Sequence, residues 1–208
     1  MTTALTVHGQ QRAGVDLLRI VRINEEIKAV VGVAFKINIM AMNAIFLAKR
    51  AGTAARGFGV LSNELRVFSQ DLRTCMESLT TLIHGCVNEV SVVLQNNRHT
   101  RLLGEAATLS GNFPKAVAVL KNREQDNDRH QSQLSSLRNR LRLALDDAFR
   151  LVELGGVLAK SAKIEAAYGQ SFAGALAQVS GEFDKIVEEI RVSLESLRRS
   201  AFFSGNQS

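Results

Sequence analysis

The sequence of 208 residues is poor in the residue types that turn a chain. It contains a single proline, and its 15 glycines are thinly spread. Tyrosine and tryptophan, aromatic residues that favour strands, are also scarce, with one tyrosine and no tryptophan. An all-β sandwich or barrel needs a turn about every 8–12 residues, built mostly from glycine, proline, asparagine and aspartate. These scarcities argue against an all-β fold and favour long helices that reverse direction only a few times.

Cysteine is also scarce, with Cys75 and Cys86 as the only examples. On one helix, eleven residues separate their Cα atoms by about 16 Å, whereas a disulfide needs Cα atoms within roughly 7 Å. We therefore expect two buried, reduced thiols that act as small apolar side chains.

The usual catalytic motifs are lacking. No phosphate-binding loop, glycine-rich dinucleotide turn or nucleophile elbow occurs. We expect no enzymatic activity, no metal site and no cofactor. The histidines show no spacing to Cys, Asp or Glu that is typical of metal ligands: His8, His84, His99 and His130.

The charge balance is mildly basic, with 26 Lys and Arg against 20 Asp and Glu. A basic balance alone is a weak indication of an anionic partner. The run Arg138, Arg140 and Arg142 lacks the interleaved aromatic residues of a nucleic-acid surface. We interpret it as a solvated helix face and expect no nucleic-acid partner.

The N-terminus has no basic segment followed by an apolar one, so it does not resemble a secretory signal. The stretch from Ala29 to Ala48 has the length of a membrane span, but Lys36, Asn38 and Asn43 within it are costly at a bilayer centre. We expect a buried helix face, no membrane span and a soluble, cytoplasmic protein.

Heptad spacing predicts a first helix that ends at the glycine-bracketed segment Gly52–Gly57, followed by a second, antiparallel helix. These helices form a predicted hairpin domain over residues 1–110, with its tip near 52–57. In the first helix we place Ile20, Ile27, Ala34, Ala41 and Ala48 on one seam and Leu17, Asn24, Val31, Asn38 and Ile45 on the other. The second-helix seam comprises Leu61, Leu65, Phe68, Leu72, Cys75, Leu79, Leu82, Cys86 and Val93.

Pro114 lies where a third helix is expected to begin, because proline is favoured in the first turn of a helix. This helix is predicted to run from about 115 to 167, with a turn near 168–173 and a fourth helix to about 202 before a frayed tail. Residues 115–208 thus form a second, degenerate hairpin that packs on the first. The predicted fold is all-α, with long antiparallel hairpins forming a four-helix coiled-coil-like bundle.

The two halves resemble each other at a spacing of 118 residues. Ser62–Leu65 matches Ser180–Phe183, and Glu77–Leu79 matches Glu195–Leu197. The predicted tips also fall 118 residues apart. This agreement predicts a duplication that makes the chain a monomeric pseudo-dimer, with a homo-oligomer formed through helix packing as the alternative.

The first hairpin resembles the cytoplasmic signalling hairpin of bacterial methyl-accepting chemotaxis proteins, the chemoreceptors. The resemblance is closest over residues 33–69 and needs no gaps. No sensor domain, membrane span or methylation region of that family is visible in the sequence. The matching residues are Ala34-Phe35, Asn38-Ile39, Ala41–Ala44, Arg50–Gly52, Arg56–Phe58, Val60 and Glu64–Arg66.

The resemblance implies a non-enzymatic protein whose hairpin tip binds a histidine kinase and a coupling protein, with other chemoreceptors as further candidate partners. It also implies which residues form the contact surface: Phe35, Ile39, Met42, Asn43, Leu47, Arg50 and Val60.

The departures from the family pattern lie at the same tip. Leu47 and Thr53 occupy positions of family glutamates, and Lys49 replaces an alanine. The loss of two negative charges and the gain of a positive one change any electrostatic match to a partner. The alternative function is therefore a structural or scaffold bundle that kept the hairpin and lost control of a kinase.

Overall fold

In a computed structural model, residues 2–109, 114–200 and 202 are described. They contain four α-helices, two short 3-10 turns and no β-strand. The predicted all-α class with long helices that pack together is confirmed. The helices are α1 (Thr2–Ala51), α2 (Arg56–Leu109), α3 (Pro114–Ala166) and α4 (Ala173–Arg198).

The turns lie where the glycines and the proline placed them. The 3-10 turn Gly52–Ala55 joins α1 to α2, and Gln170–Phe172 precedes α4. Pro114 opens α3, where the missing N–H of proline costs no intrahelical hydrogen bond. The polar segment at 122–133 is helical and mostly exposed, so it is solvated rather than frayed.

The C-terminal prediction was wrong for one residue. α4 ends at Arg198, short of the predicted end near 202, and Phe202 is fully buried rather than frayed. The Arg138 guanidinium lies 4.7 Å from the centroid of the Phe202 ring, and this cation–π contact stabilises the buried position. Residues 203–208 of the predicted tail lie outside the described residues.

The described residues group into two compact units. Unit 1 draws on Met1–Asn24, Thr81–Arg142 and Ser200–Ser208, and unit 2 comprises Glu25–Thr80 and Leu143–Arg199. Each unit takes segments from both halves of the sequence. The assignment of residues 1–110 and 115–208 to two tandem hairpin domains stays a prediction.

Unit 1 has an apolar core edged by polar pairs. Glu89 in α2 is half-buried, and its Oε2 lies 2.8 Å from Nδ1 of His130. Arg138 forms an ion pair with Asp16. These pairs compensate the desolvation of charged groups beside the core. The core side chains are Ile20, Ile23, Ile83, Cys86, Val90, Val93, Leu134, Leu141 and Phe202.

Unit 2 contains both turns, and contacts between α2 and α3 show that the turns lie at the same end. The Glu165 carboxylate lies over Gly57, the Phe68 ring covers Gly155, and Cys75 Sγ lies 3.9 Å from the Ala144 carbonyl oxygen. As the residue number rises in α2, that of its partner falls in α3. The two helices are therefore antiparallel, and both hairpins of unit 2 turn at one end.

The two halves of unit 2 correspond at a spacing of 118 residues. The two residues with positive φ are Gly52 at +67° and Gln170 at +51°, and Ser62 and Ser180 are both fully buried. The apolar pairs that are buried in both halves are Ile27/Leu145, Val30/Ala148, Ala34/Val152, Ala41/Ala159, Ala44/Ala162, Ala48/Ala166, Phe58/Leu176, Leu65/Phe183, Leu72/Ile190, Met76/Leu194 and Leu79/Leu197.

One of the two predicted α1 seams is misplaced. Leu17, Asn24, Val31, Asn38 and Ile45 are only half-buried. The central column is instead Ile23, Val30, Ile37 and Ala44, which are all buried. In α2, Met76, Ile83 and Val90 similarly occupy core positions, while Leu61, Cys75 and Leu82 are half-buried.

One helical segment in the described part of the chain meets the length and composition of a membrane span. Within Gly14–Ala106, an 18-residue window reaches a mean hydropathy of 1.9, and 33% of that window is buried. Core helices of water-soluble proteins meet the same test.

Candidate protein-interaction site at the first hairpin tip

The tip of the first hairpin is a tight reversal that favours glycine at its first residue. Gly52 has φ +67°, a left-handed conformation that costs a residue with a Cβ atom about 1–2 kcal/mol. Ala55 is buried within the turn. Beyond the turn, a Cβ atom at Gly59 would lie 3.3 Å from the Ala48 Cβ, so small residues bring α1 and α2 close together there.

The outward face of α1 near this tip carries an apolar stripe. We call Phe35, Ile39, Met42 and Phe46 the outer stripe; steps of three and four residues place them on one helix face. Their exposed fractions are 60, 43, 43 and 59%. The stripe extends about 16 Å along the helix at 1.5 Å per residue. Large apolar side chains this exposed do not contribute to the core, and a contiguous row of them is typical of an interaction surface.

The opposite face of α1 explains why the stripe points outward. Ala34, Ile37, Ala41, Ala44 and Ala48 are all buried. These positions already supply a complete core face, so a second apolar column on the same helix has no core position left to fill.

Most of the predicted site residues are exposed in the structure. Leu47 is only half-buried, so one predicted contact residue lies partly against the bundle. The exposed members of the predicted site are Phe35, Ile39, Met42, Asn43, Arg50 and Val60. Val60 lies on α2, and the other residues lie on α1.

Sequence reasoning missed Phe46. It lies four residues after Met42 and seven after Ile39, and it is 59% exposed. Because Phe46 lies seven residues after Ile39, it shares a helix face with the predicted residues Phe35, Ile39 and Met42. This spacing alone could have identified Phe46 as a member of the site.

The tip is basic and its charges are free. Among the described residues, Lys36, Lys49, Arg50 and Arg56 are exposed and form no ion pair. Further from the tip, Lys28 pairs with Glu25 at 2.8 Å on the surface. The Glu165 carboxylate lies over Gly57 beside Arg56, but it forms no ion pair with these cations. The positive charge near the outer stripe favours contact with an acidic surface.

The part of the chain that the structure describes contains no group of His, Cys, Asp or Glu side chains that could hold a metal ion. The thiols are poor nucleophiles: burial raises the pKa of Cys86 to about 11, a rise that Arg138 opposes and Glu89 supports. Burial, with a smaller contribution from Asp147, also raises the pKa of Cys75. A raised pKa keeps a thiol protonated and unreactive at neutral pH.

Comparison with known proteins gives these features a context. Methyl-accepting chemotaxis protein I of Escherichia coli is 37% identical over 71 residues, which cover 34% of this chain and 13% of that protein. The methyl-accepting chemotaxis aspartate transducer of Klebsiella aerogenes is 31% identical over 101 residues, covering 41% of this chain and 19% of the transducer. Over these stretches the chain is similar to bacterial chemoreceptors.

A third chemoreceptor relative, the methyl-accepting chemotaxis protein McpG of Pseudomonas putida, is 27% identical over 103 residues, or 48% of this chain and 16% of that protein. This chain therefore matches less than a fifth of the length of each of these chemoreceptors. No protein-family model matches the chain. The long helices and the relatives together confirm the resemblance to chemoreceptors stated from the sequence.

Proposed function

We propose that this chain is a non-enzymatic, cytoplasmic signal-transduction protein whose first hairpin tip binds a chemotaxis histidine kinase and its coupling protein. The observation that carries the proposal is the outer stripe: an exposed apolar column next to the turn of a hairpin related to chemoreceptors. Large apolar residues exposed in a row are typical of protein-interaction sites. Phe35, Asn43 and Arg50 provide aromatic, amide and guanidinium groups for specific contacts.

The proposed signal is a change in helix packing below the stripe. The buried face of α1 near the tip is rich in alanine, at Ala41, Ala44 and Ala48, and α3 has buried Ala159 and Ala162 at the corresponding positions. Small residues let helices approach closely and interlock little, so small shifts between them cost little free energy. A bound kinase assembly would respond to the arrangement that it binds more tightly.

Autophosphorylation of the host kinase, measured with its coupling protein and increasing amounts of this chain, tests the proposal. We expect a saturable change in the rate, lost in Arg50→Ala and Asn43→Ala with helicity unchanged by circular dichroism. The matched controls are Tyr168→Ala and Ser161→Ala, which lie 118 residues further along the chain, and we expect wild-type behaviour from both. Wild-type activity of Arg50→Ala and Asn43→Ala would contradict the site assignment.

A scaffold function is favoured by the charge pattern of the tip. Leu47 and Thr53 stand at positions where the resembled family carries glutamates, so a kinase surface adapted to those carboxylates loses its match. No effect on the kinase, together with no co-sedimentation, is the outcome expected of a scaffold.

A further inference from the structure

The correspondence between the two halves of unit 2 places a counterpart to the outer stripe on α3. At a spacing of 118 residues, the counterparts of Phe35, Ile39, Met42 and Phe46 are Glu153, Val157, Lys160 and Ile164, which are all exposed. We call these four residues the counterpart stripe. If the two stripes were alike, the bundle would present two equivalent contact surfaces.

The two stripes differ in chemistry. The outer stripe is apolar at every position. In the counterpart stripe, a carboxylate stands at the position that corresponds to Phe35 and an ammonium group at the position that corresponds to Met42. Exposed charges in the centre of a contact surface must be desolvated on binding, and charged residues are accordingly depleted there. The counterpart stripe is poorly suited to the contact that the outer stripe makes.

The charges around the two tips differ as well. Between Ile27 and Asn63 the sequence has no Asp or Glu and five basic residues: Lys28, Lys36, Lys49, Arg50 and Arg56. The corresponding stretch, 145–181, has three basic residues and four acidic ones: Arg150, Lys160, Lys163, Asp146, Asp147, Glu153 and Glu165. Basic residues therefore predominate on the first hairpin, which favours contact of an acidic partner with that hairpin rather than with the second.

We propose that only the outer stripe binds the partner, so that each chain takes up one partner molecule through an acidic, apolar surface of that partner. The inference rests on the proposed function, because the partner is the kinase assembly. A bundle with two equal binding faces would link two partner molecules. A bundle with one binding face binds one partner molecule and cannot connect it to another.

A second copy of this chain fits the outer stripe less well than an acidic partner does. If two copies met in parallel through their outer stripes, Lys49 and Arg50 of one copy would lie close to the same residues of the other. Like charges that face each other across an interface are unfavourable. An anionic lipid surface would match the positive charge of the tip equally well, but it would not bind as one molecule per chain. The test below distinguishes a second copy and a lipid surface from an acidic protein partner.

The test exchanges the counterpart residues and counts bound partners. The probe is the purified coupling protein of the same organism, titrated by calorimetry against the full chain in about 50 mM and about 300 mM salt. The Debye length is shorter at the higher salt concentration, so attraction between surface charges is weaker there. For wild type we expect one coupling protein per chain, with the affinity at least about fivefold weaker at the higher salt concentration. Phe35→Glu/Met42→Lys should abolish binding, and Glu153→Phe/Lys160→Met/Ser161→Asn/Tyr168→Arg, which also supplies the amide and guanidinium groups of the first tip, should bind two coupling proteins per chain.

The outcomes separate the two proposals. No binding by wild type overturns the proposed function and this inference with it. Two molecules bound per wild-type chain, or binding that Phe35→Glu/Met42→Lys leaves intact, overturns the inference alone. Concentration-dependent self-association lost in Phe35→Glu/Met42→Lys, or sedimentation with vesicles of phosphatidylserine and phosphatidylcholine, assigns the stripe to a different occupant and also overturns it.

Discussion

At the scale of single residues, size rather than hydrophobicity decides several core positions. Ser62 is fully buried while its neighbour Leu61 is half-buried. The Ser62 hydroxyl donates a hydrogen bond to the Phe58 carbonyl oxygen at 2.8 Å, which compensates for the burial of a polar group. Ser180 is buried in the same way, with its hydroxyl 3.0 Å from the Ala177 carbonyl oxygen. A reading of apolar periodicity selects the leucine and misses the serine.

Adjacent glycines in α3 should respond in opposite ways to the same substitution. A Cβ atom at Gly155 would lie 2.5–2.9 Å from the buried Phe68 ring, whereas at Gly156 it would meet nothing within 4 Å. We expect Gly155→Ala to lower the free energy of unfolding by about 1–3 kcal/mol through overpacking. Gly156→Ala should raise it by about 0.5–1 kcal/mol because alanine favours helix. Urea denaturation measures both, and equal effects would contradict the Phe68–Gly155 packing.

The buried thiol predicts a loss of stability in alkali. Burial raises the pKa of Cys86 from 9.0 to about 11, so the folded protein holds this proton to higher pH than the unfolded chain does. The stabilisation of the folded protein by the protonated Cys86 is present in full below pH 9. It is lost as the pH rises to about 11, which lowers the free energy of unfolding by up to about 2–3 kcal/mol. Denaturation of wild type and Cys86→Ala at a series of pH values measures the effect, and identical slopes above pH 9 would refute it.

At the scale of elements, helix ends were predictable and helix registers were not. Gly52 and Pro114 bound α1 and α3 within a residue or two of the predicted ends, because glycine and proline restrict the backbone locally. The seam of α1 was misassigned because its apolar stripe is three columns wide. Which column lies at the centre depends on the neighbouring helices, and a single helix sequence does not contain that information.

The outer stripe illustrates the same limit for the site. Resemblance to the chemoreceptors predicted three of its four residues, Phe35, Ile39 and Met42, and all four are exposed. Phe46 was omitted because the contact residues were taken from the resemblance to the chemoreceptors, and Phe46 was not among the residues that the resemblance implied. The turn itself needed no tertiary information, since two glycines bracket it.

The two turns provide a matched pair of substitutions. Gln170 has φ +51° and Gly52 has φ +67°. Because a left-handed conformation costs a residue with a Cβ atom about 1–2 kcal/mol, Gln170→Gly should raise the free energy of unfolding by up to about 1 kcal/mol and Gly52→Ala should lower it by a similar amount. Thermal denaturation measures both. A destabilised Gln170→Gly would show that the side chain of Gln170, rather than its backbone, matters at this turn.

At the scale of the whole molecule, the described chain supplies both sides of the unit 2 core. Buried residues of the first half recur 118 residues later, so one copy provides the apolar faces that a pair of hairpins needs. We expect light scattering to give a mass near that of one chain, 22.7 kDa, at micromolar concentration. A mass of two chains or more, with no folded monomer on dilution, would favour the homo-oligomer that the sequence left open.

Joining two corresponding halves in one chain also changes how the protein can evolve. In a symmetric dimer, a codon change at the Phe35 position alters both faces at once, and selection acts on the sum of the two effects. Here Phe35 and Glu153 are encoded separately, so one half can drift or acquire a new contact while the other preserves the old one. The buried positions nearest the tips show no such divergence, since Ala41, Ala44 and Ala48 recur as Ala159, Ala162 and Ala166.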